Sequence, residues 1–130
     1  MNVSQCTLIK PLSCTAETPL PEVARILREY QQRRILVVDT NESPIGIIST
    51  TDMNNRVIAE NKDAAKLAAQ DVMTQPLHLV CDLNDDLNEV YHKMIQKTSY
   101  YCPVTQNGKL YGILTYGEMV RCLQHLLHHG

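Results

Sequence analysis

Two hydroxyl–acid pairs stand out from the rest of the chain. Ser49 and Asp52 are three residues apart, and so are Thr115 and Glu118. Each pair sits in the same setting. Gly46-Ile47-Ile48-Ser49-Thr50-Thr51-Asp52-Met53 and Gly112-Ile113-Leu114-Thr115-Tyr116-Gly117-Glu118-Met119 both read glycine, two aliphatics, a hydroxyl residue, two variable positions, an acid and a methionine. A hydroxyl and an acid at this spacing, where a strand runs into a helix, can do one of two things. They can form a capping box, in which each side chain accepts from the other residue's backbone N–H. Alternatively, the acid can accept from the neighbouring hydroxyls of a ribose while the hydroxyl and the first turn favour an anionic group. A capping box prefers Glu or Gln, so Glu118 fits the capping role, whereas the shorter Asp52 is the better candidate for a ribose ligand.

Other chemistry is sparse. No nucleophile–base–orienter set occurs at recognisable spacing, and the phosphate-loop pattern Gly-x-x-x-x-Gly-Lys is missing, so no catalytic residue is assigned. The five cysteines are an odd number without Cys-x-x-Cys, which argues against a disulfide framework. Cys14, Cys81 and Cys102 fall in apolar, strand-like runs and read as small buried hydrophobes. Cys122, His125, His128 and His129 cluster near the C-terminus. A fraying terminal helix explains them better than a transition metal, and no metal is assigned.

The two turns lie 66 residues apart, about half of the 130-residue chain. The likeness continues upstream. Ile35-Leu36-Val37-Val38 faces Tyr101-Cys102-Pro103-Val104, and farther back Leu20-Pro21-Glu22-Val23 matches Leu87-Asn88-Glu89-Val90 with the offset grown by one. The slip is assigned between helix and strand, where 31–34 has a shorter counterpart in 98–100. A duplicated unit tolerates a length change in a loop.

Each copy reads strand–helix–strand–strand–helix. In the first, 12–14 is a short strand, and Thr18 with Pro19 opens a helix whose apolar face is Leu20, Val23, Ala24, Leu27 and Tyr30. Asp85 takes the capping position in the second, before Leu87, Val90, Tyr91, Met94 and Ile95. Strands are expected at 35–38, 45–48, 101–105 and 110–114, with Asn107-Gly108 as a tight hairpin turn. A helix follows each acid, over about 51–60 and from 117 onward, and 64–72 leads toward the second copy.

Bulk properties suit a small globular protein. Hydrophobic residues make up 44% and charged residues 20%, enough of each for one core and one polar surface. A net charge of −2 supplies no basic footprint for nucleic acid or an anionic membrane. No apolar run approaches the roughly 20 residues that cross a bilayer, and no signal-peptide pattern opens the chain, so a cytoplasmic location is expected. A copy of about 60 residues buries little surface alone. One compact α+β pair is therefore expected, with repeats 1–63 and 64–130 related by a pseudo-twofold axis and their sheets packed together.

The element order, the glycine–aliphatic–aliphatic–Ser/Thr–x–x–Asp signature and the Val72-Met73-Thr74 entry to the second copy resemble a tandem pair of cystathionine-β-synthase (CBS) domains, across residues 6 to 124. The resemblance implies a free-standing regulatory module that binds an adenosine nucleotide (AMP, ADP or ATP) or S-adenosylmethionine in a cleft between the repeats, without catalysis. It also implies a homodimer and an unidentified effector protein. By the same resemblance Thr51 supplies a ligand-contacting hydroxyl and Thr74 reaches the adenine. Pro103 sits in the second repeat's strand beside Tyr100 and Tyr101, which could stack on a purine, and Arg33 or Arg34 could grip phosphate. The second site is weaker, with Thr115 and Glu118 but Gly117 where the first has Thr51. In the first repeat Leu36 stands where the family often has proline. The competing reading is a ligand-free dimerisation or docking scaffold in which both hydroxyl–acid pairs are only caps.

Overall fold

In the computed structural model, the backbone is described for residues 1–129 and the side chains through His125. The chain is α+β and is built from two copies of one plan. The first copy comprises β1 (Ser13–Thr15), α1 (Leu20–Tyr30), β2 (Arg34–Val38), β3 (Pro44–Ser49) and α2 (Thr50–Met53), which continues as a π-helical turn over Asn54–Ile58. The second comprises β4 (Cys81–Asp82), α3 (Leu87–Lys97), β5 (Tyr101–Gln106), β6 (Lys109–Thr115) and α4 (Tyr116–His129). In each sheet the first strand runs parallel to the middle one, which is antiparallel to the third. The register is irregular at the same place in both, between Val37 and Val38 and between Val104 and Thr105.

Short polar contacts begin and end the helices. Thr18 does not cap α1, because Pro19 occupies that position. Its hydroxyl instead accepts from the Thr15 N–H at 3.1 Å and closes the turn after β1. Asp85 does the same after β4, accepting from the Asp82 N–H at 2.8 Å. The cap of α3 is therefore Asp86, one residue later than the sequence suggested, and it accepts from the Glu89 N–H at 3.2 Å. Both helices end on a residue in the left-handed region, Gln31 (φ 54°) and Thr98 (φ 51°). The next N–H then reaches back into the last turn, Gln32 to Leu27 and Ser99 to Met94, each at 3.0 Å.

The register also corrects the sequence alignment of the repeats. Arg34 lies opposite Ser49, and Tyr101 lies opposite Thr115. Leu36 thus corresponds to Pro103 and Val37 to Val104, and the one-residue slip falls in the β2–β3 hairpin instead of between helix and strand. Chain chemistry explains it. Asn107 and Gly108, both at positive φ, turn β5 into β6 in two residues. The first hairpin needs a longer loop, in which one oxygen of Asp39 accepts from the N–H groups of Asn41 (2.9 Å) and Ser43 (3.0 Å).

The compact units do not follow chain order. One comprises Leu12–Leu77, and the other comprises Met1–Pro11 together with His78–Gly130. In the first, Val23 and Leu27 of α1 pack with Ile35, Val37, Ile48 and Val57, joined by Ala69 and Val72 from the segment after the first repeat. In the second, Leu87, Val90 and Met94 of α3 pack with Val104, Leu114 and Met119, joined by Val3 from the N-terminal segment. The stretch 64–72 forms two 3-10 turns, Ala64–Lys66 and Ala69–Asp71, and the N-terminal segment forms another, Val3–Gln5. Among the described residues no helix is long and apolar enough to cross a membrane.

Candidate functional site

The first hydroxyl–acid turn is a complete capping box. Ser49 ends β3 in extended backbone, and its hydroxyl accepts from the Asp52 N–H at 3.1 Å. Asp52 Oδ2 accepts from the Ser49 N–H at 2.9 Å. The other carboxylate oxygen, Oδ1, faces Arg56 Nη2 at 3.9 Å, beyond hydrogen-bond range. Arg56 was not singled out by sequence, although its i,i+4 spacing from Asp52 is a readable signal. Its Nη1 donates to the Val72 carbonyl at 2.7 Å, so the arginine ties the acid-bearing turn to the segment that follows the repeat.

Several of the expected site residues gather at this end of the sheet. Arg34 is Ser49's partner across β2 and β3, and the Thr50 N–H donates to the Arg33 carbonyl at 3.0 Å. Thr51 is exposed on α2. Thr74 exchanges backbone hydrogen bonds with Ile47, at 2.8 and 3.1 Å. The signature glycine explains that approach. A Cβ on Gly46 would lie 2.7 Å from Met73 Sδ and 3.1 Å from the Thr74 carbonyl, so only a glycine lets the segment cross there.

The second turn differs in how its acid is used. Thr115 Oγ1 accepts from the Glu118 N–H at 3.3 Å, which is half of a box. Glu118 does not reach back to complete it. Its Oε1 accepts from the Thr7 N–H at 2.9 Å and its Oε2 from Arg121 Nε at 2.8 Å, with Arg121 Nη2 also donating to Oε1. The sequence expectation is reversed here. Glutamate, the better capping residue, is drawn off by the N-terminal segment and Arg121, while aspartate makes the box. The Arg121 guanidinium, aided by the Thr7 N–H and opposed by burial, holds the Glu118 carboxyl below the usual glutamate range. Gly112 repeats the role of Gly46, since a Cβ there would lie 2.9 Å from Leu8 Cβ. The Ile9 and Ile113 backbones pair beside it.

Tyr101 is half-buried opposite Thr115, and Pro103 is buried opposite Ile113. Tyr100 and Tyr116 meet edge to face at 5.3 Å, and Tyr116 stacks on Tyr91 at 6.2 Å. Contact with Tyr91 raises the Tyr116 phenol above its ordinary range. The Tyr116 N–H donates to the Tyr100 carbonyl at 3.0 Å, the counterpart of Thr50 on Arg33. The two repeats therefore present different chemistry at equivalent places, cationic in one and aromatic in the other. Among the described residues no three His, Cys, Asp or Glu side chains come together as a metal site. The side chains of His128 and His129 lie outside the described residues.

The carboxylates differ in what they can still accept. A carboxylate has about four lone-pair positions. Glu118 spends both oxygens on three donors, whereas Asp52 spends one oxygen on one N–H and leaves Oδ1 3.9 Å from Arg56 Nη2, too far for a hydrogen bond. A CBS domain pattern matches residues 3–58 and again 69–125. The chain belongs to the CBS-domain family. It carries two such domains in tandem, the arrangement of a regulatory CBS pair. It is 29% identical over 107 residues, 82% of its length, to an uncharacterised protein, MK0525, of Methanopyrus kandleri, and spans 54% of that relative. Its fold matches the CBS-pair protein CBSX2 of Arabidopsis thaliana with a TM-score of 0.76 at 23% identity, covering 99% of this chain and 98% of that one. A hexameric CBS-CP12 protein from bloom-forming cyanobacteria matches with a TM-score of 0.73 at 18% identity, covering 92% of this chain and 69% of the other.

Proposed function

We propose that this CBS pair senses an adenosine nucleotide through the Ser49–Asp52 turn. The carrying observation is the unspent acceptor capacity of Asp52 Oδ1. Vicinal ribose hydroxyls are donors of the right kind for it, and a charged acceptor makes such bonds stronger than neutral ones. Thr51 and Thr74 add polar groups around the same strand end, and Arg34 adds a cation suited to phosphate. Thr115 and Glu118 form the weaker second site, because Glu118 is already consumed. The module performs no reaction; the ligand acts by favouring one arrangement of a self-associating chain, which is read by an effector protein. A homodimer is the smallest such assembly.

A second reading rests on the completed capping box. If Asp52 serves only to cap α2, the protein is a ligand-free scaffold. Thermal unfolding with AMP, ADP, ATP and S-adenosylmethionine, each titrated, separates the two. A saturable rise in Tm with one adenosine compound supports the sensor through binding linkage. No shift at millimolar concentrations of all four rejects it in favour of the scaffold.

A further inference from the structure

Four of the five cysteines fall in the unit formed by Met1–Pro11 and His78–Gly130, and they are paired. Cys81 and Cys102 lie with their sulfurs 3.3 Å apart on β4 and β5, both sealed from solvent. The second pair spans almost the whole sequence. Cys6, half-buried on the N-terminal segment, packs against the core that holds Cys122 of α4, and the neighbouring Cys122 thiol adds to burial in raising the Cys6 thiol. Cys122 also reaches the carbonyl of Gln5, the residue beside Cys6, at 3.7 Å.

This pair occupies a structural position that the other unit fills differently. There the incoming segment is tethered by Arg56 donating to the Val72 carbonyl. The repeat offset of 66 residues carries Val72 onto Cys6 and Arg56 onto Cys122. One repeat thus fastens its borrowed segment with a cation–carbonyl hydrogen bond, and the other places two thiols at the same tether. Beside Cys6 opens a cavity of about 390 Å³, lined also by Ser4, Lys10, Leu83 and Tyr111, which gives a small reagent access to Cys6, whereas Cys81 and Cys102 are both buried.

We propose that Cys6 and Cys122 form a reversible thiol–disulfide site, oxidised by a small-molecule disulfide, that locks the N-terminal segment to α4. The Cys6 thiolate attacks one sulfur of the small disulfide; that bond breaks and the leaving thiolate takes a proton. The mixed disulfide on Cys6 sits in the cavity, where the Lys10 ammonium favours an anionic adduct. Cys122 then loses its proton and attacks the Cys6 sulfur, expelling the second small thiol. The two cysteine thiols are oxidised by two electrons in all, and the small disulfide is reduced to two thiols. Burial raises the Cys6 thiol, so its attack on the small disulfide is slow near neutral pH and runs faster as pH rises.

The test treats the reduced, native protein with oxidised glutathione at about pH 8 and maps thiols and cross-links by differential alkylation and peptide mass spectrometry. The expected result is a Cys6–Cys122 cross-link within one chain, reversed by dithiothreitol, with Tm raised by roughly 5–10 °C. Cys6→Ser and Cys122→Ala abolish the cross-link and the Tm rise, and Cys81→Ala leaves both. Because Cys6 is half-exposed, Cys6→Ser carries the test should Cys122→Ala fail to fold. A Cys81–Cys102 link, a lasting adduct on Cys6 that never closes, links only between chains, or no thiol loss would each overturn the proposal.

Discussion

Replacing Asp52 separates its two roles, provided that two variants are compared. Asp52→Ala removes the acceptor of the half-buried Ser49 N–H, a lost cap costing about 1 kcal/mol. It also removes the partner facing Arg56 at 3.9 Å, which adds about 0.3–0.5 kcal/mol for an i,i+4 pair. The sum, about 1.5 kcal/mol, lowers Tm by roughly 3–8 °C in a chain of this size. Asp52→Asn keeps an amide oxygen where Oδ2 stands and so keeps the cap, losing only the pairing with Arg56. Its Tm falls by roughly 1–2 °C. Toward a ribose the order changes. Both variants lose the charge that strengthens the acceptor, which at about 1.4–2.8 kcal/mol weakens nucleotide affinity roughly 10–100-fold. Circular dichroism melts follow the cap, and isothermal titration calorimetry with the nucleotide that stabilises the wild type follows the ligand. An Asp52→Asn protein that is folded and binds with unchanged Kd would refute the ribose role and leave Asp52 as a cap.

Gly46→Ala drives a methyl into Met73 and the Thr74 carbonyl and should cost about 1–3 kcal/mol in urea unfolding. Gly117→Ala meets nothing within 4 Å at the start of α4 and should instead stabilise by about 0.5 kcal/mol. Glu118 has a folded pKa below its unfolded one, so its contribution is complete above the ordinary glutamate range and is lost as pH falls through that range toward the folded value. Glu118→Gln should therefore lower stability near neutral pH and flatten the acid limb of a Tm-versus-pH profile; an unchanged limb would dismiss the Thr7–Glu118–Arg121 cluster as its source. Deleting residues 1–9 removes Val3 from the core around Met94 and the Ile9 pairing with Ile113. Five of the six tyrosines lie at 91–116, so tyrosine fluorescence should report loosening of that unit before far-UV circular dichroism changes.

The repeat was legible because both copies carry the same three constraints on one short stretch. A glycine admits a crossing segment, two aliphatics enter the core, and a hydroxyl caps the next helix. The strands and the amphipathic faces of α1 and α3 followed from periodicity. What eluded the sequence was non-local. Thr18 and Asp85 looked like helix caps, yet each turned to the N–H three residues back, a choice that depends on where the preceding strand ends. The slip between repeats was misplaced because side-chain type alone could not tell Cys102 from Pro103 as the counterpart of Leu36; hydrogen-bond register could. At the candidate site, Ser49 and Asp52 were found by spacing. Arg56 was overlooked despite its i,i+4 spacing from Asp52, but its bond to the Val72 carbonyl and the draw of Thr7 on Glu118 depend on segments farther away in sequence.

The exchange of segments explains why two nearly identical turns end up chemically unequal. Each repeat is completed by the stretch that precedes the other. Residues 64–77 finish the sheet of β1–β3, and residues 1–11 finish that of β4–β6. The crossing backbone pairs with the middle of the third strand in both cases, which brings its polar groups close to the acid of the following turn. In the first repeat Arg56 intervenes, taking the Val72 carbonyl for itself and leaving Asp52 to its box. In the second, the position equivalent to Arg56 is a cysteine that cannot donate comparably, so the tether passes to Glu118. The longer acid spans to the Thr7 N–H and Arg121 closes over it, leaving little acceptor capacity. The exchange of arginine for cysteine at the tether thus goes with one carboxylate keeping an oxygen outside hydrogen-bond range of its neighbour and the other being spent on the fold.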